Sequence, residues 1–104
     1  MALEVTPNSD GFGASVSGTQ LSEPLTQESV EQIRGAWLTH QVLSFPDQPL
    51  SHAALERFCG QFGEFGNDPY VAPLADHEHI LEVRREPDEA APPFGSAWHS
   101  DWSF

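Results

Sequence analysis

A chain of 104 residues has room for one domain and one modest core. Its 16 Asp and Glu side chains stand against four arginines, a formal charge of −12, so it repels polyanions; neither nucleic acid nor an anionic membrane is expected as a partner. No apolar run approaches the roughly 18–20 residues of a membrane-crossing helix, residues 1–10 lack the basic-then-apolar order of a secretory signal, and the single cysteine has no internal partner, which together point to a soluble, cytoplasmic protein.

Residues 3–18 alternate short apolar positions (Leu3, Val5, then Phe12, Ala14, Val16) around Pro7, Asn8, Asp10, Gly11 and Gly13, which predicts two short strands joined by a turn. Thr26 is the expected N-cap of a first helix, with Glu28 where the helix dipole favours an anion and Val30, Ile33 and Trp37 as its buried stripe up to His40. The run Gln41-Val-Leu-Ser-Phe45, partly β-branched and stopped by Pro46, reads as a buried strand.

Ser51 is a second N-cap, followed by Leu55, Phe58, Cys59 and Phe62 on one face, with Gly63 expected to end this helix in the left-handed conformation. Cys59 would then face the core as an inert, packed thiol. Residues 63–75 are irregular, 79–85 resume strand character through Ile80, Leu81 and Val83, and 86–96 form a polar, proline-rich link. Arg84 and Arg85 are expected at the surface, with Glu86, Asp88 and Glu89 as partners. Large apolar residues alternate from Trp98 to Phe104, predicting a closing strand.

Within Trp98-His-Ser-Asp-Trp-Ser-Phe104, His99 and Asp101 lie two residues apart and share one face of an extended backbone. One divalent first-row metal can reach both, and a second His from elsewhere would complete a facial triad with open coordination positions. Trp98, Ser100 and Trp102 fall on the opposite face, where the indoles can pack and hold the ligands in register. The bare pattern does not carry the assignment: five histidines among 16 acidic residues give about 0.8 accidental matches to H-x-[DE].

The wider context does carry it. Gly11-Phe-Gly-Ala-Ser-Val-Ser-Gly18, Leu21-Ser-Glu-Pro-Leu25 leading into a helix, His40-Gln-Val-Leu-Ser-Phe45 before Asp47, Phe62-Gly-Glu64 after an amphipathic helix, and the closing His99 and Asp101 segment resemble, in this order, the N-terminal third of the taurine dioxygenase (TauD/TfdA) family. The resemblance spans nearly the whole chain. It implies an α+β fold, with residues 1–104 forming the N-terminal part of one double-stranded β-helix (jelly-roll) domain, incomplete in this chain. It also implies Fe(II) as cofactor and 2-oxoglutarate and O2 as co-substrates, with hydroxylation of a small organic substrate and release of succinate and CO2.

His99 and Asp101 match two of the family's iron ligands. The distal His and the Arg that pairs with 2-oxoglutarate have no place in these residues, so the fragment alone is expected to be inactive. Substrate contacts in the family often follow the Phe-Gly-Glu element, which singles out Asp68 and Tyr70; Asp68 stands where a His useful for an anionic substrate is absent, which speaks against a sulfonate. As ordinary structure, Asn67-Asp-Pro is a turn and Tyr70 a packed aromatic.

Two other readings remain open. His77 and His79 could join His99 and Asp101 in a structural zinc site, although Asp76-His-Glu-His79 is more simply a solvated connection. A non-catalytic remnant or small acidic interaction module is the other. The full-length protein's oligomeric state, a homo-oligomer included, is left open.

Overall fold

The computed structural model describes residues 2–93 and 95–101, which fall into two units, Met1–Glu64 and Phe65–Phe104. In the first, β1 (Glu4–Pro7) and β2 (Ala14–Ser17) pair antiparallel with Val5 opposite Val16, the hairpin read from the sequence. Side chains shape its turn: Asn8 Nδ2 donates to Phe12 O at 3.0 Å and Asp10 Oδ1 accepts from Phe12 N at 3.1 Å. The hairpin ends at Gly18, whose φ of +82° brings its backbone against the carbonyl of Ala2, where a Cβ would collide.

Helix α1 (Gln27–His40) starts as expected, with Thr26 Oγ1 accepting from Ser29 N at 3.1 Å and Glu28 in the first turn. It stops where Gln41 takes a φ of +73° and returns its N–H to Trp37 O at 2.7 Å. Beyond this cap, β3 (Leu43–Ser44) joins β2 in parallel, giving a three-stranded sheet of order β1-β2-β3. The predicted five-residue buried strand is thus only two residues long, and Ser44 is exposed; the positive φ at Gln41 and the turn at Asp47, φ +57°, confine it at both ends.

Helix α2 (His52–Gly60) begins under Ser51, whose Oγ accepts from Ala54 N at 3.1 Å. Its end differs from expectation. Gln61 caps it in the right-handed conformation, φ −73°, and Gly63 is not among the positive-φ residues, because Gln61 N–H already finds Arg57 O and Phe58 O.

The core is Ala14 and Val16 from β2, Leu21 from the connection, Val30 and Ile33 from α1, and Ala54 from α2. Burying a side chain the size of Val16 or Ile33 contributes roughly 1.5–3 kcal/mol. Trp37, expected to complete the stripe, is 48% exposed, and Cys59 is exposed rather than core-facing. Both line an open apolar groove of about 280 Å³ with Phe45, Phe58 and Phe62, where Phe58 lies 5.4 Å from Phe45 and 5.2 Å from Phe62. Burial of the thiol against these rings still pushes the Cys59 pKa up from its ordinary 9.0, which keeps it inert at neutral pH.

Two glutamines fix the stretch between β2 and α1. Gln48 accepts from Leu21 N at 3.0 Å and donates to Thr19 O at 2.9 Å; Gln61 accepts from Leu25 N at 3.2 Å and donates to Leu25 O at 3.0 Å. Each side-chain amide does what a neighbouring strand would do for a backbone lacking one. Arg57 adds a hydrogen bond to Ser22 O.

The second unit contains β4 (Pro73–Leu74) and β5 (His77–Leu81), paired antiparallel with an irregularity at Pro73/Leu74. The strand expected over 79–85 therefore begins two residues earlier and ends four earlier. Its pairing with β4 through a tight turn sets the start, and Arg84 turns instead to Glu86 at 2.6 Å while Val83 is 61% exposed. Arg85 donates to Glu89 O at 3.0 Å. Phe65 stacks on His79, ring centroids 4.2 Å apart and 7° from parallel. None of the described residues of this unit is buried. Together the two units make a mixed α+β chain, and among the described residues no helix is long and apolar enough to cross a membrane.

Candidate metal centre

The closing strand expected from residue 98 onward is not formed by residues 98–101, which are irregular; Trp102, Ser103 and Phe104 lie outside the described residues. Trp98 is fully exposed rather than packed, so its indole does not hold the ligands in register. The two donor groups come together by another route. Ser96 N–H closes a turn on Pro93 O at 3.2 Å, Gly95 takes a φ of +72°, and the chain then folds so that the His99 ring meets the carbonyl of Ala97, with Nδ1 2.6 Å from the oxygen.

A carbonyl only accepts, so Nδ1 must carry the proton of the neutral ring. That leaves the Nε2 lone pair uncommitted to the backbone, and Nε2 stands 3.8 Å from Asp101 Oδ1. Two ligand atoms each about 2.1 Å from one metal, at near-right angles, would sit roughly 3 Å apart. Both side chains are open to solvent, 54% and 103% exposed, so a small rotation closes the difference. Imidazole nitrogen plus carboxylate oxygen, with the second ring nitrogen held by a carbonyl, is the donor chemistry of a first-row divalent metal site. The residues present fit such an ion.

The pair opens onto a cavity of about 500 Å³ lined by residues 95–97, 99–101 and Asp68. Asp68, singled out as a substrate contact, is thus brought to the same cavity as both metal-ligand candidates. It also makes the turn expected of Asn67-Asp-Pro: its Oδ1 accepts from Tyr70 N at 2.7 Å and Val71 N at 3.2 Å. A neighbouring hollow of about 370 Å³ shares Asp68 and is walled by Phe65, Glu78 and His79. Tyr70 is 75% exposed and lines neither.

His77 and His79 do not join the pair. His77 sits in the β5 ladder and His79 stacks on Phe65, 3.4 Å from Glu78. Among the described residues no group of three or more His, Cys, Asp or Glu is set to hold a metal ion, so the four-ligand zinc arrangement is not formed.

Sequence reasoning passed over the turn before the ligand, which it treated as part of a polar link. The available signal was Gly95 itself, the residue type that a turn needing a positive φ at its third position selects.

Comparison with known proteins bears on the same segment. The family model described as Taurine catabolism dioxygenase TauD, TfdA family matches residues 4–104. An alpha-ketoglutarate-dependent sulfate ester dioxygenase of Pseudomonas putida is 30% identical over all of this chain and 34% of its own length. An alkylsulfatase of Acinetobacter baylyi is 32% identical over 89% of this chain and 28% of its own. The crystal structure of a taurine dioxygenase from Burkholderia xenovorans superposes with a TM-score of 0.66 at 35% identity, covering 73% of this chain and 28% of that one. The chain therefore spans about a third of the length of the curated relatives it matches.

Proposed function

The chain belongs to the TauD/TfdA dioxygenase family, and on that premise we propose that it forms the front of a dioxygenase dependent on Fe(II) and 2-oxoglutarate, with His99 and Asp101 as two iron ligands. Both units would then be parts of one domain, residues 1–104, leading into a double-stranded β-helix. The observation that carries the reading is His99 itself, its Nδ1 tied 2.6 Å from Ala97 O and its Nε2 turned to within 3.8 Å of Asp101.

Iron(II) with bound 2-oxoglutarate would supply the oxidising power, using O2 to decarboxylate the co-substrate to succinate and CO2 and to hydroxylate a small organic substrate. The residues of this chain have the tasks of binding and orientation. Ala97 O keeps the proton of the neutral His99 ring on Nδ1, so that Nε2 presents the lone pair. Asp101 contributes charge that offsets a divalent cation, and its exposure leaves it free to rotate onto the ion. Asp68 places a carboxylate in the same cavity, held by the backbone N–H groups of Tyr70 and Val71, and is our first choice for a substrate contact; Tyr70, beside it in sequence, is the second.

The charge distribution bears on the substrate. All four arginines are engaged within the chain: Arg34 at Phe62 O (2.9 Å), Arg57 at Ser22 O, Arg84 at Glu86 and Arg85 at Glu89 O. None lines the cavity with Asp68 and Asp101. An anionic substrate group would find no counter-charge on this wall.

The test is 2-oxoglutarate decarboxylation by the full-length protein. His99→Ala and Asp101→Ala should each reduce iron-dependent succinate formation to background while the fold, followed by circular dichroism, is unchanged. Normal turnover in either variant would remove that residue from the metal site.

A further inference from the structure

We infer that Gly95 is a positioning residue for His99: the left-handed glycine seats the imidazole against Ala97 O and thereby sets which ring nitrogen is offered to a metal. The inference rests on the reading of His99 as a ligand, and it adds a residue that the H-x-D pattern does not contain.

Three features of the 93–99 segment support it. Gly95 has a φ of +72° in a turn closed by the Ser96 N–H to Pro93 O hydrogen bond, and side chains other than glycine and, to a lesser degree, asparagine strain that conformation. A Cβ built on Gly95 would lie 3.3 Å from His99 Cε1 and 3.9 Å from Nε2. The ring thus rests over the glycine on its Cε1–Nε2 edge, so any side chain there would press the edge that faces the metal. At the adjoining ring nitrogen, Ala97 O receives Nδ1 at 2.6 Å. The imidazole is therefore seated by a backbone acceptor and by a residue without a side chain, and among the described residues these contacts orient a ring that is otherwise 54% exposed. An exposed imidazole without such a seat would divide itself among rotamers and between its two tautomers, and only the Nδ1–H form offers Nε2 to a metal.

Two substitutions separate the components of the seat. Gly95→Ala adds a Cβ and strains the turn; Gly95→Asn adds a Cβ while tolerating positive φ. In the full-length protein labelled with 15N at histidine, free of metal and held at about pH 8.5, well above the usual imidazole pKa of about 6.5, the ring nitrogen shifts of His99 report its tautomer. Mn(II), which mimics Fe(II) without its oxidation, then reports affinity.

The expected result is a native His99 held as the Nδ1–H tautomer, a shift towards a mixture in both variants, and Mn(II) binding weakened about tenfold or more, with an unchanged melting temperature. Native shifts and native Mn(II) affinity in both variants would overturn the role of Gly95. So would a native ring protonated on Nε2. A Mn(II) affinity unaffected by His99→Ala is a different failure: it removes the metal reading itself, and the positioning role with it, whatever the tautomer shows.

Discussion

Met1–Glu64 closes two helices and three strands around side chains that are almost wholly inaccessible, among them Val16 at 0% and Ile33 at 2% exposure. Phe65–Phe104 buries none of its described residues and depends on a short two-stranded pairing, one aromatic stack and a series of turns, yet it carries His99, Asp101 and Asp68. The closed core and the candidate site residues thus lie in different stretches of the chain. Segments that bind ligands are commonly drawn from the less stable end of a fold, because a site must admit and release what it binds. Here His99 and Asp68 are held by local hydrogen bonds between side chain and backbone rather than by packing.

The sharpest way to break this contrast is to remove matching apolar volume from each part. Ile33→Ala should cost about 2–5 kcal/mol in urea unfolding, as expected for a cavity in a closed core, whereas Leu81→Ala in β5, at 36% exposure, should cost well under about 1 kcal/mol. Equal losses would show that the second stretch has a core of its own. A middle-sized effect tests how α2 is secured: Ser51→Ala removes the oxygen that receives Ala54 N–H and should destabilise by about 1 kcal/mol, with His99 ring shifts unchanged. The smallest effect concerns pH. The Cys59 pKa is raised on folding, so its thiol contributes fully below pH 9.0 and that contribution is lost as pH rises through the elevated value. Urea midpoints should therefore fall more steeply above pH 9.0 in the native protein than in Cys59→Ala; parallel curves would mean that the groove does not desolvate the thiol.

Legibility in the sequence follows how local each interaction is. Both helix starts were readable because a hydroxyl at Thr26 or Ser51 satisfies an N–H three residues on, and the β1–β2 turn because Asn8, Asp10 and Gly11 act within five residues. The H-x-D pair was readable as a candidate, although residues 98–101 are irregular and not a strand. What could not be read is long in separation: Gln48 reaches back to Leu21 and Gln61 to Leu25 across 27 and 36 positions, and no spacing announces that. Gly63 misled because a glycine after a helix signals a left-handed cap only when no earlier residue satisfies the last carbonyls, and Gln61 does so. Trp37 misled because helical periodicity shows which face is apolar, not how far the neighbouring strand extends.

The two glutamine clamps have a consequence for time rather than for shape. Leu21 and Leu25 belong to no helix or strand, and amide protons in such a stretch ordinarily trade with solvent deuterium almost at once. Because their N–H groups are held by Gln48 and Gln61, and Gln61 caps α2, these two protons can leave only when the clamps open. They would exchange at the pace of the surrounding fold, a pair of slow amides in a segment whose backbone looks like loop.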